Sequence, residues 1–215
     1  MPDLILFDDE LDENCYRARL AAALLNIPVR LHAVNVVPGS EQNSPWFRAL
    51  SPTGRLPALT GVTGPADSLP AICGANAIMR TFSALTPDPA WRPETPPLVA
   101  SIAHWMDFTA SSLAPAIQLR RIAMFGGKAD TRTLLEASHD AFRIMEDHMI
   151  LRRISGQQWF AGESVTLADI ALFPTFALSR DAGIGHDPYP ALRRWMRNMK
   201  TLPGFIAMPG IPDYG

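Results

Sequence analysis

The chain has 215 residues, of which 47% are hydrophobic, and a formal net charge of -2 at pH 7. This length accommodates one large domain or two small ones, with enough apolar residues for a sizeable core. A charge so close to neutral argues against a nucleic-acid partner and against a strongly acidic, disordered tail. No apolar run approaches the roughly 20 residues that span a bilayer, and no basic region followed by an apolar one opens the chain. We therefore expect a cytoplasmic protein with no membrane partner.

Cysteine and histidine spacing limits the chemistry further. The two cysteines, Cys15 and Cys73, are too few for a disulfide framework and too far apart for a CxxC pair, so we expect free thiols. The five histidines show neither HExxH nor a Cys/His ligand spacing, so we expect no bound metal. The sequence also lacks a GxGxxG motif after its first strand, a P-loop and a nucleophile elbow.

The first 85 residues alternate strand and helix patterns. The first predicted elements are a buried strand at Leu4 to Phe7, a helix capped by Asp12 or Asn14, a half-buried strand with Val29, Leu31 and Ala33 inward, and a polar loop at Pro38 to Pro45 that continues through Trp46 and Phe47. The next are short strands around Ala58 to Val62 and Ser68 to Cys73, and a helix that carries Ile78, Phe82 and Leu85. This β-α-β-x-β-β-α order is the thioredoxin-like order.

The stretch from Ser51 to Leu59, SPTGRLPAL, organises this half of the chain. Pro52 and Gly54 predict a turn, and Pro57 then begins an apolar strand in which it has no N–H to donate. A cis bond before Pro57 would turn the N–H and C=O of Leu56 outward, where a ligand with a peptide-like backbone could pair with them. An ordinary edge-strand proline is the alternative that this segment leaves open.

The composition changes at Thr86 to Pro97, which holds five prolines and which we interpret as an interdomain linker. No strand-like stretch follows it. The predicted helices are one through Ile102, Trp105 and Met106 with a kink at Pro115 and a stop at Gly126-Gly127, one through Leu135, Phe142, Met145 and Met149, and a last one from Pro190 with Leu192, Trp195, Met196 and Met199 inward. Thr166 and Asp169 predict a capping box at the start of a helix. Replacing the Thr166 cap by Ala should lower the stability by on the order of 1 kcal/mol.

Two motifs resemble the cytosolic glutathione S-transferase family. SPTGRLPAL resembles its S/N-P-x-G-x-V/L-P-A-L signature, and WFAGESVTLADIALFP resembles a segment of its helical domain. The resemblance implies an α/β thioredoxin-like, glutathione-binding domain at residues 1–85, a linker at 86–97 and an all-α domain at 98–215. It also implies a homodimer, for which the pair Trp46-Phe47 is a candidate anchor.

The same resemblance implies how glutathione would bind. Leu56 and Pro57, with Arg55 before them, would bind the cysteinyl part of the tripeptide. At the third helix the family has an acidic residue and a Ser that hold the γ-glutamyl group, in a pattern like E-S-x-A-I. This chain has Gly74-Ala75-Asn76 there, so both side chains are missing, although the helix N–H groups can still bind a carboxylate. The missing contacts could cost on the order of 2 to 4 kcal/mol of affinity.

A second departure from the family concerns activation of the thiol. Family members place Ser, Tyr or Cys after the first strand to lower a thiol pKa of about 8.5. The zeta-like loop S-S-C-S-x-R-x-R puts its Ser pair on Asp12 and Glu13 and its Cys on Asn14, and two carboxylates would raise the pKa of a thiol. The remaining candidates are Cys15 at the helix start, the amide of Asn14 and the hydroxyl of Tyr16, and a plainly structural Cys15 is the alternative.

A candidate substrate wall lies on the first helix of the second half, where His104, Asp107, Phe108 and Ser111 share a face that the family turns toward an interdomain cleft. A solvated face is the other interpretation. We therefore predict a glutathione S-transferase-like enzyme that presents the thiol of glutathione to a small, partly apolar electrophile. The second hypothesis is a non-catalytic binding or assembly module of the same fold, and the third is an enzyme that uses a different thiol or an anionic small molecule.

Overall fold

The computed structural model describes residues 3–65 and 70–212. The chain divides into two compact units, residues 1–92 and 93–215. The boundary falls inside the proline-rich stretch for which the sequence predicts a linker. The start of that stretch is bonded to the rest of the first unit. The buried Thr86 donates its hydroxyl to the carbonyl oxygen of Leu25 at 3.1 Å.

The first unit is a four-stranded mixed sheet with helices, in the predicted thioredoxin-like order. Its elements are β1 (Ile5–Asp8), α1 (Glu13–Leu24), β2 (Arg30–Ala33), α2 (Pro45–Leu50), β3 (Ala58–Thr60), β4 (Ile72–Cys73) and α3 (Ala75–Leu85). The strand order is β2-β1-β3-β4, with β2 parallel to β1 and the other pairs antiparallel. The first residues of the strand predicted at Ser68 to Cys73 lie outside the described residues.

The prediction that β2 is half-buried is wrong. All four of its residues are exposed, and Leu31 keeps 52% of its surface. The strand lies at the edge of the sheet and pairs only with β1 among the strands described. The apolar contact comes one residue after the strand, where Val34 is buried and donates its N–H to the Asp8 carbonyl oxygen.

Helix α2 replaces the loop expected at Trp46 and Phe47. Ser44 caps it by accepting the N–H of Phe47 at 3.4 Å, and Pro45 occupies the first helical position. Phe47 is fully buried and its ring packs on Phe7 at 6.3 Å, so it belongs to the core of its own unit. Of the proposed dimer anchor, only Trp46 keeps an exposed face, at 39%.

The turn before β3 is built around a buried hydroxyl. Ser51 is fully buried, and its Oγ donates to the Arg55 carbonyl oxygen at 2.8 Å while accepting the Arg55 N–H at 3.2 Å. Gly54 lies inside this turn with φ of +63°, and its N–H donates to the Ser51 carbonyl oxygen. A Cβ on Gly54 would lie 2.8 Å from the guanidinium carbon of Arg48 and 2.9 Å from the Gln42 carbonyl oxygen. Glycine is therefore required here by both conformation and space.

Every secondary-structure element described in the second unit is a helix. Its helices are α4 (Pro96–Ala110), α5 (Ala114–Phe125), α6 (Thr131–Ile154), α7 (Leu167–Ala177) and α8 (Pro190–Lys200). The single kinked helix expected around Pro115 is wrong, because the chain turns at 111–113 and Pro115 lies in the first turn of α5, where its missing N–H costs nothing. Across the described residues, no helix combines the length and apolar character needed to cross a membrane.

The predicted capping box is confirmed, and its carboxylate does more than cap. The fully buried Asp169 accepts the N–H of Thr166 at 2.9 Å, the N–H of Phe160 at 2.9 Å and the indole N–H of Trp195 at 3.0 Å. One side chain thus joins the start of α7, the segment before it and α8. The predicted inward face of α8 is also confirmed, since Leu192, Trp195, Met196 and Met199 are all buried.

His186 is a buried imidazole that packs inside the second unit. Its ring stacks on Phe176 at 4.4 Å, and its Nε2 lies 2.8 Å from the Phe176 carbonyl oxygen and 3.0 Å from the Ser179 hydroxyl. Burial is the main reason that the pKa of His186 is lowered from 6.5 to about 4.

The lowered pKa of His186 predicts a pH-dependent stability. Between pH 6.5 and about 4 the unfolded chain binds a proton that the folded chain does not, so the free energy of unfolding should fall as the pH drops through that window. Urea unfolding at a series of pH values should show this loss in the wild type and a flatter profile in His186→Gln, whose amide can still donate to Phe176. The exposed His104→Gln should keep the wild-type profile, and an equal change in both variants would contradict the assignment to His186.

Substituting Gly54 should destabilise the first unit. Gly54→Ala places a Cβ in the left-handed region and against Arg48 and the Gln42 carbonyl, which should cost about 1 to 3 kcal/mol of unfolding free energy. Gly185→Ala is the control, because a Cβ there meets nothing within 4 Å and its φ is not positive. Urea denaturation of the two variants decides the matter, and equal stabilities would show that the turn tolerates a side chain.

Candidate functional site

The first component of the candidate site is the main chain at Leu56 and Pro57. The peptide bond between them is cis, as is that between Val37 and Pro38. Leu56 is half-buried, and within the described residues neither its N–H nor its C=O has a hydrogen-bond partner. The carbonyl oxygen of Pro57, in contrast, accepts the N–H of Gly74 at 2.9 Å. The N–H and C=O of Leu56 are therefore available to a ligand beside Gly74, the cap residue of α3.

The second component is the N-terminus of α3. Gly74 is its cap, with φ of +90°, and it supplies no side-chain oxygen to the helix N–H groups. A Cβ built on Gly74 would meet nothing within 4 Å, so the space in front of the helix is open. Ala75 is buried and Asn76 half-buried behind it. The start of α3 favours an anionic group, because the helix dipole and N–H groups point toward the space in front of it.

Arg55 is exposed, and the structure holds its backbone rather than its side chain. The predicted set of Leu56, Pro57 and Gly74 is brought together by the Pro57 to Gly74 hydrogen bond. Arg55 precedes this set as part of the Ser51 turn.

The third component is the start of α1, where two predicted candidates are inaccessible. Cys15 and Tyr16 are both fully buried. Burial raises the pKa of the Cys15 thiol well above its ordinary value, and the Asp12 and Asp8 carboxylates raise it further. Burial also raises the pKa of the Tyr16 hydroxyl. These surroundings favour a neutral thiol and a neutral phenol, and the thiol already accepts the N–H of Asp9 at 3.3 Å.

The chain's own carboxylate occupies the N-terminus of α1. Of the two predicted caps, Asp12 and Asn14, the structure has Asp12, whose Oδ1 accepts the N–H of Asn14 at 2.8 Å and that of Cys15 at 3.0 Å. The helix dipole that a bound thiolate would use is therefore already neutralised in part. Any group that lowers a thiol pKa at this place must be a side-chain donor.

Asn14 is the candidate that remains accessible, because it is half-buried. Its Oδ1 accepts a hydrogen bond from the guanidinium of Arg17, which leaves the side-chain NH₂ pointing to the other side of the amide. Arg17 is fully buried and is held by Glu13, with 3.2 Å between Nη2 and Oε1. Sequence reasoning missed this positioning pair, although the i, i+4 spacing of Glu13 and Arg17 was available as a signal.

The proposed substrate residues are distributed on two sides of α4. His104, Asp107 and Ser111 are exposed, whereas Phe108 is buried and packs its ring on Trp105 at 5.2 Å. Ser111 follows the last residue of the helix and donates its hydroxyl to the Asp107 carbonyl oxygen at 2.8 Å. The role of all four residues as a substrate wall stays a prediction.

Comparison with protein-family models accounts for nearly the whole chain. Residues 14–85 match the glutathione S-transferase N-terminal domain, and residues 89–198 match the glutathione S-transferase C-terminal domain. The chain belongs to the glutathione S-transferase family. The predicted thioredoxin-like and all-α parts of the fold are thereby confirmed.

Several curated relatives of this glutathione S-transferase family member are isomerases. The chain is 29% identical to maleylacetoacetate isomerase maiA of Aspergillus fumigatus, over 83% of this chain and 78% of that protein. It is 25% identical to the maleylacetoacetate isomerase of Mus musculus, over 88% of this chain and 84% of that protein.

Solved structures show the same fold. A possible glutathione S-transferase from Rhodopseudomonas palustris superposes with a TM-score of 0.83 and 28% identity, covering 99% of this chain and 92% of that one. Ure2p in complex with glutathione gives a TM-score of 0.83 at 19% identity, covering 94% and 96% of the two chains, which shows likeness of fold alone. Among the described residues of this glutathione S-transferase family member, no three His, Cys, Asp or Glu side chains group closely enough to hold a metal ion.

Proposed function

We propose that this protein is a glutathione-dependent enzyme that binds the tripeptide across Leu56 and the start of α3. The observation that carries the proposal is the main chain of Leu56, which has no hydrogen-bond partner among the described residues and lies beside the start of α3. The Gly74 N–H, which donates to the Pro57 carbonyl oxygen, joins the two segments. Leu56 would pair with the cysteinyl backbone, and the N–H groups at the start of α3 would receive the γ-glutamyl carboxylate. Glutathione fits these backbone positions and would supply a nucleophilic thiol.

Asn14 is our candidate for the residue that binds the sulfur. Its amide NH₂ faces away from Arg17, and a neutral donor can stabilise a thiolate without adding charge to an already acidic loop. The Glu13–Arg17 pair would hold this amide in place. Cys15 and Tyr16 lack the exposure that contact with glutathione requires.

The substrate class we favour is a small electrophile with a conjugated cis double bond, of the kind named by the maleylacetoacetate isomerase relatives. A thiol that adds to such a bond leaves a single bond that can rotate, and its departure restores the double bond and the thiol. The net reaction is an isomerisation in which glutathione is not consumed. Glutathione is thus both the nucleophile and the leaving group, so the protein has to stabilise the same thiolate in both steps.

Restoring one missing family side chain should strengthen glutathione binding. Ala75→Ser adds a hydroxyl at the open start of α3, and one additional hydrogen bond should tighten the dissociation constant roughly five- to tenfold. Isothermal titration with glutathione measures the effect. Ala77→Ser is the matched control, because residue 77 is exposed on the same helix, and it should leave the affinity unchanged. Absence of binding in the wild type and in Ala75→Ser alike would reject the binding site and favour a non-catalytic module.

The sulfur-binding role of Asn14 predicts that substituting Asn14 lowers kcat much more than substituting its neighbour Cys15. With maleylacetoacetate and glutathione, Asn14→Ala should lower kcat by about 10² and raise the apparent pKa of the bound thiol, because it removes a donor to the thiolate. Cys15→Ala removes a buried thiol that does not reach the ligand, so kcat should change only a few-fold. A ranking in the opposite order would contradict the assignment, and isomerisation without glutathione would contradict the proposed function.

A further inference from the structure

A pocket of about 340 Å³ lies in the second unit between the end of α6 and α8. It is formed entirely within that unit, far along the sequence from the residues assigned to glutathione. Its rim carries Arg153 and Gln158 on one side and Arg194 and Asn198 on the other, and buried Trp195 contributes to its wall. A volume of this size is at the lower end of those that hold small-molecule ligands.

The charge of this pocket is positive. Arg153 and Arg194 both line it, and none of the described residues in its lining is a carboxylate. Within the described residues, neither guanidinium has a hydrogen bond or an ion pair, although other arginines of this unit do. Arg152, next in the chain to Arg153, is bound to the carbonyl oxygens of Trp159 and Gly162. The two pocket arginines are thus cations that the fold has not used for its own stability.

The end of helix α6 does not cancel this positive charge. A helix C-terminus ordinarily repels anions because its last carbonyl groups are unpaired. Here the carbonyl oxygens of Leu151, Arg152 and Arg153 accept N–H groups from residues 155–157. The buried acid Glu146 is itself occupied, since its two oxygens accept the N–H groups of Ala191 and Leu192 at 2.8 and 2.9 Å.

Neutral donors complete the lining. Asn198 donates its side-chain NH₂ to the Oε1 of Gln158 at 3.2 Å, which fixes two amides across the pocket. Gln157 adds a third amide. Gly156 has φ of +76° and a Cβ there would meet nothing within 4 Å, so the entrance is open on that side. Two guanidinium groups and three amides form a donor-rich set, which suits an anion with several acceptor oxygens.

We propose that this pocket binds a compact organic dianion, such as a phosphomonoester or a dicarboxylate, independently of glutathione. Two guanidinium groups match two negative charges, and planar guanidinium groups bind carboxylate or phosphate oxygens in pairs. Trp195, which forms one wall of the pocket, is buried and donates its indole N–H to the buried Asp169. This wall is therefore fixed by the core of the unit before any ligand binds. The bound dianion would neutralise two charges that otherwise repel each other across the pocket.

Isothermal titration of the full-length protein with succinate and, separately, with glycerol phosphate tests the proposal at low, constant ionic strength. We expect saturable binding of at least one of them, weakened about tenfold or more by Arg153→Gln and by Arg194→Gln. Arg143→Gln is the matched control, because Arg143 is an exposed arginine on α6 paired with Asp140 and outside the pocket lining. The stronger of the two ligands identifies which dianion the site prefers.

Three results would overturn the proposal. The first is the absence of saturable heat for both ligands at millimolar concentration. The second is an equal loss of affinity in Arg143→Gln, which would show a general effect of net charge rather than a site. The third is weaker binding of succinate or glycerol phosphate in the presence of saturating glutathione, because a separate pocket should give the same affinities with and without glutathione. Because the substituted arginines are exposed, the variants should fold, and a thermal melt confirms it.

Discussion

A main-chain hydrogen bond from the Gly74 N–H to the Pro57 carbonyl oxygen fixes the two backbone segments of the candidate site against each other. It extends the pairing of β3 with β4, so the start of β3 lies beside the cap of α3. The Ser51 hydroxyl secures the turn on the other side by bonding both backbone groups of Arg55. Leu56 lies between these two anchors, and its own N–H and C=O have no partner among the described residues. Strong backbone groups that the protein does not pair are the groups that it can offer to a ligand.

Electrostatics explain why thiol activation in this protein would need a neutral donor. Asp12 has taken the N-terminus of α1 as its cap, and Asp8 lies at the end of β1 in an ion pair with Arg19 at 2.6 Å. Burial raises the pKa of Asp8 in spite of that arginine, so the loop resists additional negative charge. An amide held by a buried Glu13–Arg17 pair adds hydrogen-bond donors without changing the charge.

The second unit shows how differently the fold treats its charges. The buried carboxylates of Asp169 and Glu146 are each surrounded by N–H donors, and each joins elements that are distant in sequence. Buried charge is tolerated there because every acceptor is satisfied. Arg153 and Arg194 are treated in the opposite way, since they remain exposed and without partners in the described part of the chain. The buried carboxylates therefore stabilise the fold, whereas the two exposed arginines remain available for binding.

The sequence by itself determined the features whose signals are local. The Thr166–Asp169 box, the stop at Gly126 and the inward face of α8 all follow from spacing within a few residues, and the family motifs are equally contiguous. For the cap of α1 the local pattern left Asp12 and Asn14 as alternatives, and the structure has Asp12. Tertiary structure decided what depends on distant packing. Only the assembled sheet made β2 an exposed edge, buried Cys15 and Tyr16, and placed Gly74 beside Pro57. Burial and hydrogen-bond pairing depend on contacts with segments that are distant in the sequence, and a local sequence pattern does not contain information about those contacts.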